Sequence, residues 1–265
     1  CMDDDDGGRQ RGAVFIMFMN TNGTVKGHYK ISDTSGDFPG ELQNNDFFGS
    51  AVAAPGDING DGIGELVIGA SGDDVIGGGN KGAIFVFFMN TDGTTQSYQK
   101  IGMTGNLTRI GGLQTPLKNF DFFGTSIEPA GDMDGNGIPD IAVGAPRDDD
   151  ETTDAGAVYF LFLDSTGKVD FQGKISDEQG DLPSDLQKAD WFGHGIAGLD
   201  DVDGNCLQEF FVTAPKSESL AVTDVGAGWV LHIEELTNSP KLSRPENGEE
   251  LKVEKPFAAV PELHL

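Results

Sequence analysis

The sequence predicts an all-β protein, a β-propeller built of four-stranded antiparallel blades. Three observations carry this. A long segment recurs: GAVFIMFMNTNGTV from Gly12, GAIFVFFMNTDGTT from Gly82, GAVYFLFLDSTGKV from Gly156, and a weaker GAGWVLHIEEL from Gly226, at offsets of 70, 74 and 70. Each unit holds short apolar, β-prone runs separated by Gly, Asn and Asp, and helical periodicity is weak throughout. Four short antiparallel strands repeated at this period describe propeller blades, whereas a β-solenoid, the rival repeat architecture, uses much shorter repeats.

Each unit opens on FFG or WFG, ending at Gly49, Gly124 and Gly193. The glycine permits close backbone approach. The aromatics Phe47, Phe48, Phe122, Phe123, Trp191 and Phe192 could form a sugar-stacking ladder, but burial preference places them in the core between blades. A short apolar run supplies strand 1. After an acidic loop, strand 2 reads LVIGA, IAVGA or FFVTA and ends on a small-residue triplet: Gly69-Ala70-Ser71, Gly144-Ala145-Pro146 or Thr213-Ala214-Pro215. Strand 3 is the long run Phe15–Met19, Ile84–Met89 or Val158–Leu163, apolar throughout as a strand covered on both faces requires. Asn22-Gly23 and Asp92-Gly93 predict type I′ hairpin turns. Strand 4 carries KIS or KIG from Lys30, Lys100 and Lys174.

On this reading residues 1–236 are propeller blades: a partial blade at 1–32, full blades at about 46–103 and 121–177, and a partial blade at 190–236 with a frayed fourth strand. A closed ring takes about four to eight blades, so an incomplete part of a larger ring is expected. Aligning Gly12 with Gly156 lays Asp4 over Asp148, which starts the chain inside a strand 2–3 loop. The expectation is therefore a piece of a longer polypeptide. Residues 237–265 carry Pro240, Pro245, Pro256 and Pro261, lose the repeat, and read as a tail or linker.

The formal net charge is −27 over 265 residues, from 17 basic and 44 acidic side chains. Such a chain is repelled by nucleic acid and by anionic lipid, and no apolar run reaches the roughly 18 residues of a membrane span. Divalent cations are the natural partners. Cys1 and Cys206 give neither a disulfide framework nor zinc spacing.

The strand 1–2 loops carry the clearest chemistry: DINGDGIGE at 57–65, DMDGNGIPD at 132–140 and DVDGNCLQE at 201–209. Oxygens fall at loop positions 1, 3, 5 and 9, with a backbone carbonyl at 7. The candidate ligands are Asp57, Asn59, Asp61, the Ile63 carbonyl and Glu65; then Asp132, Asp134, Asn136, the Ile138 carbonyl and Asp140; then Asp201, Asp203, Asn205, the Leu207 carbonyl and Glu209. Asp, Asn and Gly also make good turns, but three copies in register, each crowding carboxylates, point to Ca²⁺. Mg²⁺ demands stricter geometry, and no His or Cys joins the ligand set, which argues against zinc or copper. The loop closes at its ninth residue and runs straight into a strand, unlike a 12-residue EF-hand loop. Cys206 replaces the glycine found at Gly62 and Gly137, which predicts a weaker third site.

The order FFG, DxNGDG, GA(S/P) resembles the FG-GAP repeat of the integrin α-subunit N-terminal propeller and its bacterial and protist relatives, over roughly residues 1–236. The resemblance implies a ring of about seven blades, Ca²⁺ in the strand 1–2 loops, and ligands or partner subunits on the opposite face. This chain departs from it in its 69–75-residue period, in Cys206 and in Ser71.

The strand 2–3 loops are acidic too, at Asp3–Asp6, Asp73, Asp74 and Asp148–Asp150 with Glu151; a second cation or basic-ligand surface is one reading, and solvated loop charge is the expected one. The strand 4–1 connection lengthened at residues 104–120 is the candidate for a unique contact. His28, His194, His232 and His264 fall at unrelated repeat positions, and no GxSxG or nucleophile–base set is present. Asn22 and Asn106 lie in glycosylation sequons. Extracellular-module Ca²⁺ sites fill near 10⁻⁴–10⁻³ M, far above cytosolic free Ca²⁺. The expectation is thus a non-catalytic, secreted or cell-surface Ca²⁺-binding module for adhesion, protein–protein interaction or surface assembly. Its partners would be proteins or glycans on the face opposite the loops, and further blades of the same or a neighbouring chain. A lectin-like carbohydrate-binding module and a non-catalytic segment of a larger secreted enzyme are the alternatives.

Overall fold

A computed structural model describes residues 3–38, 41–74, 79–104, 108–150, 152–180, 182, 186–205, 207–217 and 225–233. Four antiparallel sheets follow one another in chain order. The first pairs β1 (Ala13–Met19) with β2 (Val25–Ser32). The second comprises β3 (Phe48–Gly56), β4 (Glu65–Ala70), β5 (Ala83–Met89), β6 (Thr95–Thr104) and β7 (Thr108–Ile110). The third comprises β8 (Ser126–Gly131), β9 (Asp140–Ala145), β10 (Ala157–Leu163) and β11 (Val169–Ile175). The fourth comprises β12 (Gly195–Leu199), β13 (Glu209–Ala214) and β14 (Ala227–Leu231). These are consecutive propeller blades in an arc, not a closed ring. The fourth strand expected after β14 and the tail at 237–265 lie outside the described residues. Among the described residues no helix is long and apolar enough to cross a membrane.

Strand 3 of each blade is the core of the arc. β5 and β10 are buried at every residue, because each is sandwiched between its neighbours. Val86 and Phe88 of β5 share one apolar cluster with Tyr159 and Leu161 of β10. Phe160 and Phe162 of β10 share the next with Phe210 and Trp229. β1 breaks the pattern. Phe15, Met17 and Met19 are 40%, 52% and 55% exposed, whereas their repeat equivalents Phe85, Phe87 and Met89 are buried.

The blades are joined by backbone contact. The amides of Phe48, Phe123 and Phe192 donate to the carbonyls of Arg11, Lys81 and Ala155 of the preceding blade, at 2.9, 3.0 and 2.9 Å. The same three residues bridge in parallel to Gly12, Gly82 and Gly156. Gly156 has φ +93°, and a Cβ there would overlap the Phe192 carbonyl oxygen; a Cβ on Gly144 would overlap that of Gly193. The rings of Phe48, Phe123 and Phe192 are fully buried, so they are core and not a sugar platform. Phe47, Phe122 and Trp191 are half-buried at positive φ, a conformation that non-glycine residues seldom adopt.

Three local expectations change. At the hairpin turns only the glycines Gly23 (φ +84°) and Gly93 (φ +81°) are left-handed. Asn20 N donates to the Thr24 carbonyl and Gly23 N to the Asn20 carbonyl, and the register slips between Phe18 and Met19. This is a type I turn followed by a glycine bulge, not type I′. The lengthened connection adds β7 to its sheet, and its described residues are tied to the next blade: Val169 N donates to the Gly111 carbonyl at 2.8 Å, and Gln114 N to Gln172 Oε1 at 2.8 Å.

The strand 2–3 loops are the third correction. Asp73 and Asp148 are buried, not solvated. Lys100 Nζ lies 2.6 Å from Asp73, and Lys174 Nζ lies 2.7 Å from Asp148 and 2.6 Å from Asp150. Lys30 meets Asp4 and Asp6 in the same way at 2.9 and 2.5 Å. The KIS or KIG lysine of each of the first three blades therefore clamps the loop between strands 2 and 3. Asp46 and Asp121, just before the aromatic pairs, face this network. Burial, then the neighbouring Asp73, pushes Asp46 up to about 7. Burial, then Asp148, pushes Asp121 up to about 8.

The joint sets a test. Gly156→Ala should fold with a stability loss of about 1–3 kcal/mol from the backbone conformation alone, and more from the carbonyl overlap. A urea midpoint equal to that of the parent chain would contradict the close approach.

Candidate metal centres

Each strand 1–2 loop is wound around its first aspartate. In the first, Asp57 Oδ1 accepts from Gly60 N (2.7 Å) and Asp61 N (3.1 Å), and Oδ2 from Gly62 N (2.7 Å). In the second, Asp132 accepts from Asn136 N (3.0 Å) and Gly137 N (2.8 Å). In the third, Asp201 accepts from Gly204 N (2.6 Å) and Asn205 N (3.0 Å). Gly62 and Gly137 stand at φ +88° and +86°, as position 6 demands of a glycine. Cys206, at that position in the third loop, lies outside the described residues. The side chains at positions 3 and 5 brace the turn further: Asn59 and Asp61 each accept a backbone N–H two residues on, and so do Asp134, Asn136, Asp203 and Asn205.

The ninth residue is the buried member. It opens strand 2 and folds back over the loop. Glu65 Oε2 accepts from Ile58 N at 2.6 Å, and Glu209 Oε2 from Val202 N at 2.6 Å. Glu65 and Glu209 are fully buried, and Oε1 of each has no hydrogen-bond partner among the described residues. Asp140, shorter by one methylene, has both oxygens engaged, by Met133 N (2.8 Å) and Leu163 N (3.0 Å).

Ligand atoms of Asp57, Asp61 and Glu65 lie within 4.8 Å of one another, as do those of Asp132, Asp134 and Asp140. The residues of these two loops fit a hard cation: the charged donors are all oxygen, and Glu65 holds a buried carboxylate oxygen with no hydrogen-bond partner among the described residues. The third loop differs. There Asp203 and Glu209 group with His232 of the strand 3 end, which corrects the expectation that no histidine joins the set. Two signals in the sequence went unread. His232 takes the repeat position of Phe88 and Phe162, and the recurring KIS lysine marks the clamp on the strand 2–3 loops. Of the two sequons, Asn22 sits exposed in its turn, with Oδ1 accepting from Thr24 N and Oγ1, and Asn106 lies outside the described residues.

An FG-GAP repeat model matches residues 48–87 and 123–161. The chain is an FG-GAP repeat protein. Both matched stretches run from the FG pair through the acidic loop and strand 2 into strand 3. The same chain is 30% identical to integrin alpha-PS3 of Drosophila melanogaster over 212 residues, 80% of this chain and 16% of that protein. It is 30% identical to integrin alpha-PS5 of Drosophila melanogaster over 69% of this chain, and 30% identical to integrin alpha-4 of Xenopus laevis over 65%. The FG-GAP segment thus spans about one sixth of the length of these relatives.

Proton competition in the second loop gives a pH prediction. Burial pushes Asp140 up to about 7, with Asp134 and Asp132 adding to it; burial also raises Asp134 and Glu65. A carboxyl with a raised folded pKa holds its proton more tightly in the native state. Without a cation, stability therefore falls as pH rises from the ordinary carboxylate range to about 7. A bound divalent ion removes that loss. The difference in melting temperature between Ca²⁺ and chelator should widen from pH 5 to pH 8. A difference that narrows over this range would refute the assignment of these carboxyls.

Proposed function

We propose that this FG-GAP segment is a non-catalytic, Ca²⁺-stabilised extracellular module used for adhesion or for assembly at the cell surface. The observation that carries it is the first loop. A fully buried Glu65 oxygen with no hydrogen-bond partner among the described residues sits among the carboxylates of Asp57 and Asp61. Such a group is costly unless a cation completes it. Asn59 and the Ile63 carbonyl complete the oxygen set by spacing. The second site comprises Asp132, Asp134, Asn136, the Ile138 carbonyl and Asp140. The third is built on Asp201, Asp203, Asn205, the Leu207 carbonyl and Glu209. Bound ions neutralise part of the −27 charge and rigidify the strand 1–2 end of each blade.

Recognition of a protein partner then falls to the opposite end, where the strand 2–3 and 4–1 loops lie. Similarity to integrin α chains over 80% of the sequence supports an adhesion-type role and a surface location. Further blades, of this chain or a neighbour, cover the exposed Phe15, Met17 and Met19 face of β1.

Saturating one site at 100 times its Kd stabilises the fold by about 2.7 kcal/mol, and each kcal/mol moves Tm by about 2–4 °C at this size. Ca²⁺ should therefore raise Tm by roughly 5–10 °C over EDTA. Asp57→Asn with Asp61→Asn should remove a substantial part of that rise. An identical Tm with Ca²⁺ and with EDTA sinks the calcium reading.

A further inference from the structure

The third loop is not a copy of the other two. Strand pairing explains how. Phe210 pairs with Leu231 across β13 and β14, so one step further along the register His232 stands opposite Glu209. The same step sets Phe88 opposite Glu65 and Phe162 opposite Asp140. Where two blades carry a phenylalanine at this register position, this blade carries a histidine. Its Nδ1 lies 3.7 Å from Asp203 Oδ2. One ligand atom each from Asp203, Glu209 and His232 falls within 4.8 Å of the other two. Glu209 is fully buried, and its Oε1 has no hydrogen-bond partner among the described residues.

A nitrogen donor changes the chemistry. Ca²⁺ and Mg²⁺ take oxygen ligands, whereas imidazole with carboxylates suits Zn²⁺ and its first-row neighbours. A zinc ion bonds His nitrogen at about 2.0–2.1 Å and carboxylate oxygen at about 2.0–2.2 Å. The 3.7 Å gap between the Asp203 and His232 donors is close to the edge of such a coordination shell. We infer that the third loop, through Asp203, Glu209 and His232, binds a zinc-class transition-metal ion in preference to Ca²⁺. The inference rests on reading the strand 1–2 loops as cation sites, and gives one of them a different ion.

The test uses the full chain with Cys1→Ser and Cys206→Ser, so that neither thiol takes part. Zn²⁺ is titrated by calorimetry in saturating Ca²⁺, and the His232 imidazole is followed by NMR. One Zn²⁺ site should persist, and the His232 resonances should move with it. His232→Phe, which restores the residue of the other blades, should weaken that site by at least about tenfold, since even an outer-sphere partner is worth about 10–100-fold. His232→Gln should show the same loss, which separates it from a packing effect. Equal Zn²⁺ affinity in the parent and both variants, or displacement of Zn²⁺ by Ca²⁺ with the imidazole unmoved, overturns the inference and leaves only a His232–Asp203 contact. Ca²⁺ uptake at the first loop, measured as the difference made by Asp57→Asn with Asp61→Asn, reports separately on the calcium reading. If that uptake is absent while Zn²⁺ binding still depends on His232, the calcium reading falls and this one stands.

Discussion

The arc depends on main chain meeting main chain between blades. The aromatic-glycine pair that opens each unit donates a backbone hydrogen bond to the blade before it, and the receiving residue is followed by a glycine at positive φ. Side chains at Gly144 and Gly156 would occupy the space of the next blade's carbonyls. Once that contact is set, the buried Phe48, Phe123 and Phe192 fall between strand 3 runs that are apolar on both faces. Packing and blade spacing follow from the one contact. The motif's glycines are therefore a spacing device before they are anything else.

Charge is organised around the same frame, in two layers. At the strand 2–3 end, aspartates are drawn inward and met by the lysine of strand 4, as in Lys174 with Asp148 and Asp150. Lysine offsets part of the buried acid there, while Asp46 and Asp121, each with a buried oxygen that has no hydrogen-bond partner among the described residues, are pushed up to about 7 and 8 by burial and their acidic neighbours. At the strand 1–2 end the carboxylates meet no such lysine among the described residues and turn to backbone N–H groups, which satisfy some oxygens and leave Glu65 and Glu209 each with one that has no described partner. The first layer draws its counter-charge from within the chain. The second calls for a counter-charge from outside.

Most of this was legible in the sequence because the unit repeats. Three copies in register turn a turn-forming tract at 57–65 into a loop with an address, and the apolarity of Phe85–Met89 announces two covered faces. What escaped reading was long-range. The 2–3 loop aspartates look like solvated charge until Lys100 and Lys174, some 26 residues away, are seen to reach them. The hairpin turn type depends on a one-residue register slip that Asn-Gly alone does not encode. His232 belongs to the third loop only through cross-strand pairing, so a ligand search within nine residues passes it by.

The open face of β1 has a chemical character of its own. Where the inner blades present rigid aromatic and branched side chains, β1 presents Phe15 followed by two methionines, Met17 and Met19, all substantially solvent-exposed. Thioethers are unbranched, polarizable and able to refit to uneven surfaces. This end of the arc is thus the compliant one, able to seat against neighbours of differing contour.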